Sequence, residues 1–215
     1  ANKYGIKIFS TPFAPTTAVA ELTLGAIISL LRMIPLMDKD MHEGKWSKKI
    51  GTQLEGKTVL IIGFGRIGRK VASLLKPFNI RLLVVDTKIH NKEIDGIEVL
   101  SLDKALSETD IITLHASGEQ EIIGKNEFRL IKKGAFILNV ARGQLIDEKS
   151  LIDALESGKV KGAWLDTFGI EPYTGPLTKY SQVILTPHIG SYTSECRKSM
   201  EIEAVNNLLS AFKEL

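Results

Sequence analysis

Short apolar runs alternate with amphipathic stretches from Lys57 to about residue 185 of this chain. The apolar runs are rich in Val, Ile and Leu and predict strands at 58–62, 81–85, near Val99, and at 111–114, 135–139, 162–165 and 183–185. The amphipathic stretches predict helices at 66–76, 102–107, 125–132 and 147–157, and a last helix from about Ser194 to Lys213. Because parallel strands need crossover helices, the pattern predicts an α/β fold with a doubly wound parallel sheet.

The chain before this alternation follows a different pattern. Residues 7–9 are predicted as a short strand, and a proline-punctuated loop leads into a helix from about Thr17. Pro35 is expected to break or kink that helix, and a second helical stretch ends near Gly44. We therefore divide the chain into a linker with helices at 1–55, a sheet domain at 56–192 and a C-terminal helix at 193–215.

The predicted helix at residues 17–33 is apolar on most of its faces. Its large apolar residues are Leu22, Leu24, Ile27, Ile28, Leu30 and Leu31. A helix that faces one core needs only an apolar stripe, so this surface predicts that a second copy covers part of it in a homodimer. Complete burial within one subunit is the alternative. Glu21 and Arg32 interrupt the apolar stretch, so no membrane span is predicted.

Composition narrows the partners. The chain has 215 residues and a net charge of +3 that is spread along its length, so no basic patch indicates nucleic acid or a lipid surface. The predicted partner is a small molecule. Cys196 is the only cysteine, which excludes an internal disulfide and favours a reducing, cytoplasmic location. No metal site is predicted.

A glycine-rich loop, Gly63-Phe-Gly65-Arg-Ile-Gly68, follows the first strand of the sheet directly and opens a helix. The first glycine allows a tight turn, the second lets the backbone approach a pyrophosphate, and the third permits close packing of helix on strand. Alone, this spacing also fits an ordinary glycine turn. Asp86 ends the next strand 18 residues after Gly68, where an acid that binds ribose hydroxyls is expected. The pair predicts dinucleotide binding, with NAD favoured over NADP.

Three charged residues lie downstream in separate motifs. They are Arg142 in Asn139-Val-Ala-Arg-Gly143, Glu171 in a segment ending Glu171-Pro172, and His188 in Pro187-His-Ile-Gly190. Each alone is usually a surface residue. Together, an arginine that holds a carboxylate, a histidine that moves a proton and a glutamate that orients it suit the interconversion of a 2-hydroxy acid and a 2-oxo acid.

These motifs, with Val19-Ala-Glu21 and Leu165-Asp-Thr-Phe168, resemble the NAD-dependent D-2-hydroxyacid dehydrogenases from Gly5 to the end of the chain, and most closely the phosphoglycerate dehydrogenase branch. The resemblance implies a Rossmann-type NAD-binding domain and hydride transfer to or from the acid, plausible for 3-phosphoglycerate. It also implies that Arg142 holds the substrate carboxylate, that His188 is the acid and base, and that Glu171 supports His188.

The same resemblance implies a set of cofactor contacts. Asp166 is expected to hold the nicotinamide carboxamide, and His115 is read as structural. The expected cofactor-binding residues are Gly63, Gly65, Arg66, Ile67, Gly68, Asp86, Ala116, Ser117, Val140, Ala141, Arg142, Asp166, His188, Gly190 and Ser191.

The sequence departs from the family pattern in three places. Ala116-Ser-Gly118 stands where relatives have a proline, and Pro15 stands near where many have an asparagine close to the substrate. The chain also starts close to where the nucleotide domain of relatives begins, so most of their substrate domain is not in this sequence. Two hypotheses follow: a dehydrogenase, or an NAD(H)-binding, dimerising module without efficient turnover.

Overall fold

A computed structural model of the chain describes residues 2–4 and 6–213. Within them, eight strands form one sheet: β1 Thr58–Ile62, β2 Arg81–Val85, β3 Glu93–Ile94, β4 Ile97–Val99, β5 Ile111–Leu114, β6 Ala135–Asn139, β7 Val160–Leu165 and β8 Val183–Leu185. Their order is β3-β4-β2-β1-β5-β6-β7-β8, and every pair is parallel except β3 with β4. The predicted doubly wound sheet is confirmed.

Helices cover both faces of the sheet. They are α1 Pro15–Leu31, α2 Ile34–His42, α3 Arg66–Leu75, α4 Leu102–Glu108, α5 Lys125–Leu130, α6 Glu148–Glu156 and α7 Ser194–Lys213. One core packs α1 and α3 against β1, β6 and β7, with Trp164 at its centre. The other packs α4, α5 and α6 against the opposite face. Because both faces are covered, the central strands β1 and β5 are buried except at Thr58, which explains their mostly apolar sequence.

The N-terminal part corrects two predictions. Residues 7–9 do not form a strand; they are exposed and irregular. The predicted helix break is present, but the chain turns at Met33, which has a left-handed backbone with φ of 53°. Pro35 lies in the first turn of α2, where its missing N–H costs no hydrogen bond. Pro15 likewise begins α1. Gly5 and residues 1, 214 and 215, which the resemblance and the predicted segments include, lie outside the described residues.

Helix α1 is covered in part by its own subunit. Ile27, Leu30 and Leu31 are buried, whereas Leu22, Leu24 and Ile28 are half-buried. The second copy over the remaining surface stays a prediction. Among the described residues no single helix is long and apolar enough to cross a membrane, although α1 and α2, bent by 66° at Met33, pass that test as a pair.

The sheet positions the loops that matter for function. In a parallel sheet the carboxyl ends of the strands lie at one edge, and ligands bind where the strand order reverses. Here that reversal falls between β1 and β5. The glycine loop, Asp86 and Ala116 follow β1, β2 and β5, while the three charged residues belong to the loops after β6, β7 and β8.

Candidate active site

The glycine loop packs closely at two of its glycines and is open at the third. Gly63 has φ of +91°, and a Cβ there would collide with the backbone of Ala116. A Cβ on Gly68 would collide with the carbonyl oxygen of Gly63. Gly65 has nothing within 4 Å of its missing Cβ, so this face of the loop is open at the N-terminus of α3. These residues therefore fit a dinucleotide, with positive helix potential beside the phosphates.

Asp86 is tied to that loop. Its Oδ2 accepts a hydrogen bond from the Phe64 N–H at 2.7 Å, and its Oδ1 accepts one from the Lys88 N–H at 2.8 Å. Each carboxylate oxygen keeps a lone pair, so the half-buried group is still able to accept ribose hydroxyls. The side chain of Lys88 is exposed, and only its backbone takes part in this contact.

The remaining candidate cofactor-binding residues near the loop lie on two sides of it. Arg66 donates from Nε to the Pro12 carbonyl at 3.1 Å, and its guanidinium lies 5.0 Å from the centre of the Phe13 ring. Ile67 is half-buried beside it. Ala116 adjoins Gly63 on the other side, and exposed Ser117 follows.

The turn that carries Arg142 is built by a buried amide. Asn139, which is 1% exposed, donates from Nδ2 to the Arg142 carbonyl at 2.8 Å and accepts from the Ala141 N–H at 3.0 Å. Val140 and Ala141 are half-buried within this turn, and the Arg142 side chain is exposed. Gly143 is required here because a Cβ would collide with the Phe168 backbone. The loops after β6 and β7 therefore touch, main chain against main chain.

A hydrogen bond joins His188 and Glu171. The distance from Nδ1 to Oε2 is 2.9 Å, and the other glutamate oxygen accepts the Phe168 N–H at 3.0 Å. The His188 bond, then the Phe168 bond and, more weakly, the charge of Arg142 hold the pKa of Glu171 below its ordinary value. An ionised carboxylate only accepts, so Nδ1 carries the shared proton and Nε2 is left for another partner.

His188 lies in a strap, residues 186–190, that is wrapped around Asp166. Asp166 is fully buried, and its Oδ1 accepts the Thr186 hydroxyl at 2.5 Å and the Ile189 N–H at 2.9 Å. Its Oδ2 accepts the Gly190 N–H at 2.9 Å. Direct contact of Asp166 with a nicotinamide carboxamide stays a prediction, as does a role for half-buried Ser191 after the strap.

A family model described as the NAD-binding domain of D-isomer specific 2-hydroxyacid dehydrogenases matches residues 24–190, which is 167 of the 215 residues. The chain belongs to this family. Its NAD-binding domain is the doubly wound sheet described above.

Individual relatives agree with the family. The chain is 37% identical to a glyoxylate reductase of Thermofilum pendens over 99% of this chain and 67% of that protein. It is 37% identical to a hydroxypyruvate reductase of Thermotoga maritima, covering 100% of this chain and 72% of that protein. It is 33% identical to a D-3-phosphoglycerate dehydrogenase of Archaeoglobus fulgidus, covering 100% of this chain but 42% of that protein.

A solved structure shares the fold as well. The crystal structure of a glyoxylate reductase from Paecilomyes thermophila superposes with a TM-score of 0.92 at 37% identity. The match covers 98% of this chain and 66% of that one. The chain thus spans about two thirds of the length of its reductase relatives. The relatives named here include both reductases and a phosphoglycerate dehydrogenase.

The second histidine of this dehydrogenase domain is unsuited to proton transfer. His115 bonds through Nε2 to the Thr113 hydroxyl at 2.9 Å, while its buried Nδ1 has no hydrogen-bond partner among the described residues. His115 as a whole residue is half-buried, and burial lowers the pKa of its ring to about 3. A group that stays neutral at physiological pH fits the structural role predicted for it.

Sequence reasoning did not find the residues that support the charged groups. Asn139 was visible only as part of a motif, and Thr186 gave no local signal, because its partners Trp164 and Asp166 are 22 and 20 residues away. The structure also gives a role to Val19 of the Val19-Ala-Glu21 motif. Val19 packs against Gly190, and a Cβ on Gly190 would lie 3.2 Å from Cγ2 of Val19.

Two further features lie apart from this chemistry. Among the described residues no three His, Cys, Asp or Glu side chains are grouped so as to hold a metal ion. A cavity of 410 Å³ opens between the loops after β6 and β7, but Arg142, Glu171 and His188 do not line it.

Proposed function

We propose that this domain takes part in the NAD-dependent interconversion of a D-2-hydroxy acid and its 2-oxo acid. The observation that carries the proposal is the 2.9 Å hydrogen bond between His188 and Glu171 in the loops that follow β8 and β7, with the charge of Arg142 near enough to lower the pKa of Glu171. Membership of the family supports it. The chain spans about two thirds of the length of its reductase relatives, so their activity is a proposal for this chain.

The residues divide the work of reduction as follows. Arg142 would hold the substrate carboxylate through its planar guanidinium and so fix the orientation of the acid. His188 donates a proton from Nε2 to the C2 oxygen, and Glu171 stabilises the imidazolium before that transfer. In the oxidation direction Nε2 accepts the proton. When bound, NAD(H) supplies the hydride chemistry, and the protein contributes alignment and one proton.

The glycine loop and Asp86 would hold the cofactor. Gly63, Gly65 and Gly68 leave space for a pyrophosphate at the N-terminus of α3, and Asp86 would accept the ribose hydroxyls. A carboxylate at that position repels a 2′-phosphate, which supports NAD over NADP.

The substrate is a small 2-oxo acid, and an activity assay with several such acids would identify it. 3-Phosphohydroxypyruvate follows from the resemblance to the phosphoglycerate dehydrogenase branch, while glyoxylate and hydroxypyruvate follow from the names of relatives at 37% identity. We keep all three in the proposal. We also propose a homodimer through α1 and a cytoplasmic location; a sedimentation measurement that gives a monomer at micromolar concentration would remove the dimer.

The second candidate is an NAD(H)-binding, dimerising module without efficient turnover. It is favoured by the openness of the proton-transfer pair, because the side chains of His188 and Glu171 are 51% and 37% exposed. Hydride transfer proceeds best when water is excluded from the reacting groups.

The deciding experiment measures NADH oxidation by the 215-residue chain with each of these acids, alongside NADH binding by fluorescence. We expect turnover with at least one acid and, where the product has a stereocentre, as with hydroxypyruvate or 3-phosphohydroxypyruvate, a D-configured product. His188→Gln should lower kcat by about 10²-fold or more and change NADH affinity far less, since it removes the proton donor but only one of the many expected cofactor contacts. Exposed His90→Gln is the matched control. NADH binding without turnover on any acid would favour the module.

A further inference from the structure

A chain of two partly buried hydrogen bonds anchors the strap that carries His188. The Trp164 indole N–H donates to the Thr186 hydroxyl at 3.0 Å, and that hydroxyl donates to Asp166 Oδ1 at 2.5 Å. Trp164 is 1% exposed and sits in the core between α1 and the sheet. The hydroxyl of Thr186 therefore links the rigid core to the carboxylate around which the strap is wrapped.

The conformation of His188 depends on this anchorage. His188 has φ of 54°, a left-handed backbone that is unusual for a residue with a side chain. Its N–H donates to the Thr186 carbonyl at 2.9 Å, and the N–H groups of the next two residues donate to Asp166. Such a backbone persists only where its surroundings hold it. Here the carboxylate holds one side of His188, and Thr186 holds the other.

The same network reaches the turn of the arginine. The Asp166 N–H donates to the Asn139 carbonyl at 2.9 Å, and the Asn139 amide shapes the Arg142 turn. The arginine turn and the histidine strap are thus both anchored to one hydrogen-bonded pair, Asn139 at the end of β6 and Asp166 directly after β7. Proton transfer depends steeply on such alignment, since a displacement of about 1 Å costs on the order of 10²-fold in rate.

We propose that Thr186 is a positioning residue for His188, acting through the carboxylate of Asp166. This inference rests on the function proposed above for His188. Removing the hydroxyl leaves the Trp164 indole without an acceptor and Asp166 with one donor fewer, so the strap is free to turn the imidazole away from Glu171. The chemistry itself stays with His188.

The test compares Thr186→Val, which loses the hydroxyl at nearly constant shape, with Thr186→Ser, which keeps it. Thr109→Val is the control, because the Thr109 hydroxyl donates to the Ala105 carbonyl just before β5 begins, at the opposite edge of the sheet. Thr186→Ala gives the same comparison if the valine variant does not fold. Each variant is measured for thermal midpoint, NADH affinity, kcat and the ring ¹⁵N shifts of His188.

Thr186→Val should lower kcat about tenfold or more, change NADH affinity less than about threefold, and mix the two imidazole tautomers. Thr186→Ser should restore kcat to within about threefold of the starting chain, and Thr109→Val should change only the thermal midpoint. The ¹⁵N shifts are read without substrate, so they decide the question even if the chain turns over none of the acids. A Thr186→Val variant with the original kcat and a single Nδ1–H tautomer would overturn the proposal.

Discussion

His115 should make the fold sensitive to mild acid. In the unfolded chain a histidine takes up its proton near pH 6.5, whereas burial lowers the pKa of folded His115 to about 3. Between these values the unfolded chain binds a proton that the folded chain refuses. The free energy of unfolding must therefore fall as the pH drops below 6.5, and this loss is complete only near pH 3.

The magnitude follows from these two pKa values. Each tenfold increase in the unfolding equilibrium constant lowers the free energy of unfolding by about 1.36 kcal/mol. When the pH is lowered from 7 to 5, protonation of this one histidine in the unfolded chain lowers the free energy of unfolding by about 2 kcal/mol. His115→Gln removes the titrating group, so its stability should change by about 2 kcal/mol less over the same range. The comparison is between pH values within each variant, so any constant cost of the substitution cancels.

Urea unfolding at pH 7 and pH 5 measures the effect. His90→Gln, which alters an exposed histidine, serves as the control and should retain the full pH dependence. Equal pH dependence in His115→Gln and the unmodified chain would refute the reasoning, as would an NMR titration in which His115 takes up a proton near pH 6.5.

Further predictions concern the cofactor site and the contact between His188 and Glu171. Asp86→Ala should reduce the ratio of NADH affinity to NADPH affinity about tenfold, because it removes the acceptor for the ribose hydroxyls and the repulsion of a 2′-phosphate. Titrations with NADH and NADPH measure this ratio, and an equal ratio in the variant and the original chain would contradict the prediction. Gly68→Ala should destabilise the fold by about 1–3 kcal/mol through its collision with the Gly63 carbonyl, while Gly25→Ala, in space that is open within one subunit, should stabilise the monomer by about 0.5–1 kcal/mol. Glu171→Gln should lower kcat about tenfold. The hydrogen bond from His188 lowers the pKa of Glu171, so Glu171 should stay ionised as the pH falls through the ordinary glutamate range. The contact between the two side chains should be lost only below that range. A pH–rate profile checks this, because activity should not fall with an ordinary glutamate pKa.

The sheet was predictable because the buried strands leave a strong local pattern. The strands at 58–62 and 135–139 begin and end where the apolar runs do, since covering both faces demands apolar residues throughout. The two-residue strand β3 was missed, because an antiparallel edge pairing of that length has no periodicity to detect. The opposite error arose at residues 7–9, where a short strand was predicted but the structure shows none.

The site was predictable only as far as each motif is local. The glycine spacing and Asp86 carry their own geometry, and the placement of Arg142, Glu171 and His188 follows from strand ends meeting at one edge. The supporting contacts were not predictable. Thr186 lies opposite Asp166 because β7 and β8 are neighbours in register, and nothing within a short window of sequence reveals that pairing.

The close approach at Gly143 has a consequence for redesign. The loops after β6 and β7 meet through their main chains, so any side chain at this position would push the arginine away from the glutamate and histidine. The two loops therefore cannot be varied independently. A grafting experiment that aims at a new range of acids should transfer both loops from the same donor, because a chimera with only one of them would inherit a mismatched junction.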